Sequence, residues 1–317
     1  MNFSTISKVV SYQFYLMTSY LTAMPIVVQI FFKMDFPIED YQFKEFLGQG
    51  AYGTVSLYEK RRGPIQGLLL LSRGSRSRQP NKVAVKMFMS SQLDTFSKEL
   101  ENMVMIGKNS CPNIVQFLGT CRVQRGKPGL VMELFDKNLL EYIAPPCSVT
   151  VGKSILRQVA NGLRHLKELK IVHRDVKPEN ILVKIYKNSI IKVALTDLGV
   201  SKHMTKTQRS NQTNIGTDLW IAPEVKGDRP TYGHPADVFG FGLTAMFILT
   251  GNFPLGRDQG RDVKSDELSQ WVADCLNNTS WSAPELISLI NGCLEYDPTK
   301  RIGKSSLIDH EVRNNLN

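Results

Sequence analysis

The dominant hydrophobic period of this chain shifts from strand-like to helical near Met132–Asp136, and that shift limits the fold more than any single residue does. Before it the pattern is that of strands. Tyr41–Val55 alternates apolar and small residues around glycines, which reads as strand, tight turn, strand. Val83–Phe88 reads as a buried strand, and Asn113–Gly119 and Leu130–Leu134 as two more. Phe96, Leu100 and Met103 recur at helical spacing and predict one helix over Asp94–Ile106. From Asn138 onwards the pattern becomes helical. Leu156, Val159, Leu163 and Leu166 form a stripe that predicts a long amphipathic helix ending near Lys170. Short strand-like runs follow at Ile181–Lys184 and Ile191–Leu195, and Asp237–Thr250 is nearly all apolar, as expected of a helix buried on every side. The expected fold class is α+β: a smaller β-rich lobe over 41–131, a connection over 132–136, and a larger, mainly α lobe over 137–311.

At 317 residues the chain is long enough to bury such a core without staples, and 42% hydrophobic with 21% charged residues excludes a mainly disordered protein. The five cysteines are odd in number, scattered, and contain no C-x-x-C pair. That excludes a disulfide framework and suits a reducing compartment. The formal charge of +10 suggests nucleic acid until its distribution is considered. Arg61, Arg62, Arg73, Arg76, Arg78 and Lys82 carry six of the ten charges inside 61–82, where no acid occurs; Lys8 and Lys33 carry two more. What remains is too little for a phosphate-binding face, so no nucleic-acid partner is expected.

Two segments stand apart. Residues 1–40 form an apolar leader, and Val9–Phe32 is a 24-residue stretch without Asp, Glu, Lys or Arg. Its length suits a membrane span, but Pro25 and six polar positions (Ser11, Gln13, Thr18, Ser19, Thr22 and Gln29) weaken it, and Met34 is an alternative start. The second is the basic insertion 61–82 with the apolar run Leu68–Leu71, which could touch anionic lipid. The expected location is cytoplasmic. The alternative is a membrane anchor through 9–32, with 61–82 adding contact and the folded domain facing the cytosol. Nothing in the sequence addresses oligomeric state.

The chemistry lies in five short stretches. Gly48-Gln49-Gly50-Ala51-Tyr52-Gly53-Thr54-Val55 is a G-x-G-x-x-G-x-V run. Dinucleotide folds use similar spacing, but there a helix follows the last glycine, whereas Val55–Lys60 continues as a strand. A glycine hairpin lets backbone N–H groups approach phosphate oxygens closely. In Val83-Ala84-Val85-Lys86 one lysine interrupts an apolar strand and needs a partner anion; Glu99 on the next helix is the natural candidate. His173-Arg174-Asp175-Val176-Lys177-Pro178-Glu179-Asn180 is the most specific stretch. Asp175 can take a proton from a hydroxyl, Lys177 can neutralise a transferred phosphoryl group, and Asn180 offers an amide oxygen to a metal ion. Thr196-Asp197-Leu198-Gly199 and Ala222-Pro223-Glu224 complete the set.

With these five motifs in this order and spacing, the chain resembles the eukaryotic protein kinases over about residues 41–311. The resemblance implies a bilobal protein-kinase fold, ATP as phosphoryl donor and Mg²⁺ as cofactor. Lys86, paired with Glu99, would hold the α- and β-phosphates beneath the loop Gly48–Thr54, while Asp197 and Asn180 would bind Mg²⁺. Leu47, Val55, Ala84 and Leu182 would sandwich adenine. Met132 would guard the back of that site, and Glu133–Phe135 would supply hinge backbone bonds. Lys177, together with Thr217 ahead of Ala222-Pro223-Glu224, resembles the serine/threonine branch, so protein substrates with Ser or Thr acceptors are implied. Thr213, with Ser210 as runner-up, is the implied phosphorylation site of a regulatory activation loop. Asp237 would hydrogen-bond the catalytic-loop backbone, and Glu224 would pair with Arg301.

Leu198 stands where the family usually has phenylalanine, and the expected effect is a slightly looser active conformation. Ile171–Leu182 and Gly216–Val225 are locally similar to the inositol-requiring kinase–ribonucleases. Only the six-residue tail 312–317 follows Glu311, so the ribonuclease activity is not expected. The alternative from another class is a pseudokinase scaffold, which the complete set Lys86, Glu99, Asp175, Asn180 and Asp197 argues against.

Overall fold

A computed structural model describes residues 34–50, 53–61, 79–123, 126–143, 147–198, 202–203, 220–226, 233–251, 265–277 and 284–302. The leader stretch 9–32, insertion positions 62–78, Ala51, Tyr52, Ser210, Thr213, Thr217 and the tail 312–317 lie outside the described residues. The chain divides into two compact units, one holding 34–101 with Phe117–Leu134, the other Asn102–Gln116 with the described residues from Phe135 onwards.

The first unit is built on an antiparallel sheet of β1 (Tyr41–Gly50), β2 (Gly53–Lys60), β3 (Lys82–Met87), β4 (Phe117–Val123) and β5 (Lys127–Glu133), in the order β1-β2-β3-β5-β4. Successive side chains of a strand alternate between faces. Val83 and Val85 of β3 therefore share one face, where they join a core of Phe36, Tyr41, Tyr58, Cys121, Val123 and Val131. Ala84 and Lys86 take the other face. Register sets Lys86 between Val55 and Leu130, and Ala84 between Leu57 and Met132. Gly53, at φ 145°, is required where β2 begins, because a Cβ there would overlap the Met87 carbonyl oxygen. The fold of this unit starts before Tyr41. Phe36 N–H donates to Thr120 O (2.7 Å) and Thr120 N–H to Met34 O (2.8 Å), a short parallel pairing that covers the β4 edge.

The helix α1 (Leu93–Gly107) follows β3, and the division between units falls inside it. The expected strand at Asn113–Gly119 starts later, at Phe117, and runs on to Val123. Pro112 has no N–H to give a ladder, and Asn113 instead docks the turn on the second unit's own strand. Its Nδ2 donates to Val193 O (2.8 Å), and Leu195 N–H donates to Asn113 O (2.9 Å).

In the second unit, β6 (Lys137–Asn138) leads into the short helix α2 (Leu139–Tyr142), where Asn138 Oδ1 accepts from Glu141 N–H (2.8 Å). The long α3 (Val149–Glu168) starts on Ser148, whose hydroxyl accepts from Val151 N–H, and buries Leu156, Val159, Leu163 and Leu166. After β7 (Ile171–Val172) come β8 (Ile181–Tyr186) and β9 (Ser189–Leu195), which form a sheet in the order β6-β8-β9. The turn between β8 and β9 is Lys187-Asn188, both left-handed, as a two-residue hairpin demands. The pair β10 (Lys202–His203) lies antiparallel to β7. The apolar α4 (His234–Thr250) has Val238 through Leu249 all buried and ends on Gly251 at φ 76°. It packs on α3 and on α6 (Pro284–Cys293), with α5 (Ser265–Asn277) alongside. Among the described residues, no helix is long and apolar enough to cross a membrane.

Candidate active site

In the first unit, β3 and α1 bring Lys86 and Glu99 together. Lys86 Nζ donates to both carboxylate oxygens, at 3.0 and 2.8 Å, and the two residues are only 6% and 1% exposed. Buried charges are tolerated when paired in this way. Glu101, on the far side of α1, is exposed. Around Lys86 the sheet carries the other predicted nucleotide contacts: Val55 beside it on β2, Ala84 two positions back on β3, Met132 on β5, and the exposed Leu47 on β1. Gly48 and Gln49 pair with Val55 and Thr54 across the β1–β2 hairpin, and Gly50 pairs with Gly53. Glu133 ends β5, partly buried.

In the second unit, the segment between β7 and β8 is organised around Asp175. Lys177 Nζ lies 2.8 Å from Asp175 Oδ2, and Asn180 Nδ2 donates to the same oxygen at 2.7 Å and to Asp175 O at 2.8 Å. With both amide hydrogens used on Asp175, Oδ1 is the atom that Asn180 can offer to a cation. The backbone of this loop is held from beneath. Asp237, 4% exposed near the start of α4, accepts His173 N–H at 2.8 Å and Arg174 N–H at 2.7 Å. Burial raises the Asp237 carboxyl above its usual range, against the opposing pull of His173 and Arg174 and these two hydrogen bonds. Arg174 adopts φ 75° over this support. Helix α4 can approach so closely because residue 240 is glycine: a Cβ there would sit 2.8 Å from Val176 O.

The stretch after β9 joins the same assembly. Thr196 N–H donates to Asn180 O (3.0 Å), and His173 Nε2 lies 2.9 Å from Thr196 O. A carbonyl can only accept, so Nε2 carries the hydrogen and Nδ1 receives Asp175 N–H (3.4 Å). Asp197 is half-buried with φ 61°, and Leu198 is fully buried. Leu182 on β8 pairs with Asn138 and Ala194; Phe135 is buried with the ammonium groups of Lys184 and Lys192 about 5 Å from its ring centroid. Glu224 meets Arg301 in a bidentate pair at 2.7 and 3.0 Å.

Asn102 was not among the residues expected at the site. It is buried on α1 and donates to Leu198 O at 3.1 Å. The available signal was an amide three positions after Glu99, on the same side of a helix whose neighbours there are apolar. A cavity of about 470 Å³ beside Tyr142, Cys147 and Asn188 includes none of the predicted site residues. Among the described residues no cluster of three or more His, Cys, Asp or Glu could hold a metal.

Comparison with known proteins identifies the family. The protein kinase domain profile matches residues 41–312. A light-sensor protein kinase of Ceratodon purpureus is 31% identical over 295 residues, covering 83% of this chain and 22% of its own length. Mitogen-activated protein kinase kinase 2 of Arabidopsis thaliana is 30% identical over 290 residues, 87% of this chain and 73% of its own. The serine/threonine-protein kinase/endoribonuclease IRE1 of Oryza sativa subsp. japonica is 29% identical over 276 residues, 78% of this chain and 29% of its own. The chain thus spans under a third of the length of two of these relatives and nearly three quarters of the third. A domain profile that runs through 272 of the 317 residues makes the chain a member of the protein kinase family, with that family's β-rich smaller lobe and helical larger lobe.

Proposed function

We propose that this protein kinase transfers the γ-phosphoryl group of ATP to serine and threonine hydroxyls of protein substrates, with Mg²⁺ required. The observation that carries the reading is the triad in the β7–β8 segment, where Lys177 and Asn180 both hold Oδ2 of Asp175. An acceptor hydroxyl loses its proton to Asp175 as its oxygen bonds the γ-phosphorus and the bond to the β-phosphate oxygen breaks, releasing ADP. Lys177 offsets charge on the transferring group. Lys86, held by Glu99, engages the α- and β-phosphates. Asp197 and Asn180 are the residues that would hold Mg²⁺. Two hard oxygen donors completed by phosphates suit this ion, which ordinarily takes one or two protein ligands. When bound, Mg²⁺ supplies neutralisation of phosphate charge. The acceptor class rests on Lys177 and on Thr217 ahead of Ala222-Pro223-Glu224. The kinase domain is proposed to span 41–311, with 132–136 as hinge and control through Thr213 or Ser210.

The test is a phosphotransfer assay on the full chain with γ-labelled ATP and mixed Ser, Thr and Tyr peptides. Label on Ser and Thr is expected, lost with EDTA and lost in Asp175→Asn. Label on Tyr alone would overturn the acceptor class. A folded wild type that binds ATP yet labels nothing would make the chain a nucleotide-binding scaffold.

A further inference from the structure

Asn102 sits three residues after Glu99 in α1, is 6% exposed, and reaches Leu198 O with its Nδ2 at 3.1 Å across 96 positions of sequence. Its carbonyl partner belongs to the residue directly after Asp197. A non-glycine residue in the left-handed region, as Asp197 is at φ 61°, persists only where its surroundings over-determine it. On the N-terminal side that determination is visible: Leu195 N–H is held by Asn113 O, Thr196 N–H by Asn180 O, and Thr196 O by His173 Nε2. On the C-terminal side, the Asn102 amide grips Leu198 O. A buried amide at an otherwise apolar helix position costs desolvation unless it is bonded, so this hydrogen bond compensates a choice that leucine or methionine would not require. Leu198, fully buried, contributes apolar contact, but apolar contact is non-directional. The amide bond adds direction.

We propose that Asn102 is a positioning residue for phosphoryl transfer: its side chain clamps the Leu198 carbonyl and so holds the Asp197 backbone in the conformation that presents the carboxylate to the Mg²⁺–nucleotide. This rests on the reading of Asp197 as a metal ligand. Asn102 touches neither nucleotide nor acceptor; it acts through the backbone of its partner.

The experiment uses the full chain as wild type, Asn102→Leu and Asn102→Ala, the smaller alanine serving if the leucine does not fold. Amide exchange is followed by mass spectrometry in protein free of nucleotide and metal, and initial rates are measured against MgCl₂ at saturating ATP and peptide. Exchange in peptides covering 195–198 is expected to rise roughly two- to tenfold, the span expected for loss of one buried hydrogen bond. The Mg²⁺ concentration for half-maximal rate should rise by a similar factor, with the peptide KM changed less than about twofold. Unchanged exchange over 195–198 in a folded variant overturns the proposal. So does exchange raised throughout the helical unit with a lowered Tm, which marks a general structural role. A wild type without phosphotransfer defeats the functional reading instead, and the exchange arm then still decides whether Asn102 holds this segment.

Discussion

Arg301 and Glu224, 77 positions apart, form a bidentate ion pair in which Nη1 and Nη2 lie 2.7 and 3.0 Å from the two carboxylate oxygens. The other guanidinium hydrogens go to the carbonyls of Pro235 (2.8 Å), Glu295 (2.8 Å) and Tyr296 (3.2 Å), so all five donors have acceptors. The cation also lies 4.9 Å from the Phe239 ring centroid. The Arg301 side chain has no exposure, which separates this pair from surface ion pairs. Arg301→Met should destabilise the protein by about 3–5 kcal/mol, because it leaves the Glu224 carboxylate without its counter-charge. Arg301→Lys should recover only part of this, since an ammonium cannot fork across both oxygens. Urea unfolding monitored by circular dichroism measures it, and a loss near zero for Arg301→Met would show that the pair is not structural.

Lys86→Met should cost stability as well as turnover, and more stability than Asp175→Asn, which keeps an amide oxygen beside the partly exposed Lys177. The difference follows from burial: Glu99, 1% exposed, keeps its carboxylate when Lys86 is removed. The expected penalty is about 3 kcal/mol or more, and Lys86→Met with Glu99→Leu should be more stable than Lys86→Met. Thermal unfolding of the two single variants and the double variant decides it. Equal stability of Lys86→Met and wild type would contradict this account.

Gly240→Ala should disturb the β7–β8 segment from beneath. The added methyl would sit 2.8 Å from Val176 O and 3.1 Å from Val176 Cβ, and α4 is too tightly buried to retreat. A stability loss of about 1–3 kcal/mol is expected, with a fall in kcat that exceeds what the folded fraction explains. Normal kcat per folded molecule would mean that the loop absorbs the methyl without moving Asp175.

His234 makes stability depend on acid. Burial first, and then Lys167, lowers its pKa from 6.5 to about 4. Between those two values the unfolded chain binds a proton that the folded chain does not. Stability contributed by this group is therefore full above about pH 6.5 and falls as pH drops towards 4. The slope is at most about 1.4 kcal/mol per pH unit, and smaller because the half-buried ring keeps contact with water. His234→Gln should flatten the urea midpoint against pH across this window. A variant with the wild-type slope would exclude His234 as the source.

The helices α3 and α4 and the order of the chemical motifs were legible in the sequence, because each depends on neighbours within a turn or two. The stripe from Leu156 to Leu166 and the unbroken apolar run after Asp237 report burial directly. The strand expected at Asn113–Gly119 was displaced because Asn113 answers to Val193, 80 positions away, and not to its own neighbours. Asn102 was legible only as a polar residue in an apolar stripe. That its amide meets the carbonyl of Leu198, or that five acceptors converge on Arg301, depends on where separate segments come to rest. Periodicity records which face of an element is buried; it carries no information about which distant backbone group will lie opposite a buried donor. That pairing is decided when the segments pack, because a polar group removed from water must find its partner among whatever the packing brings within about 3 Å.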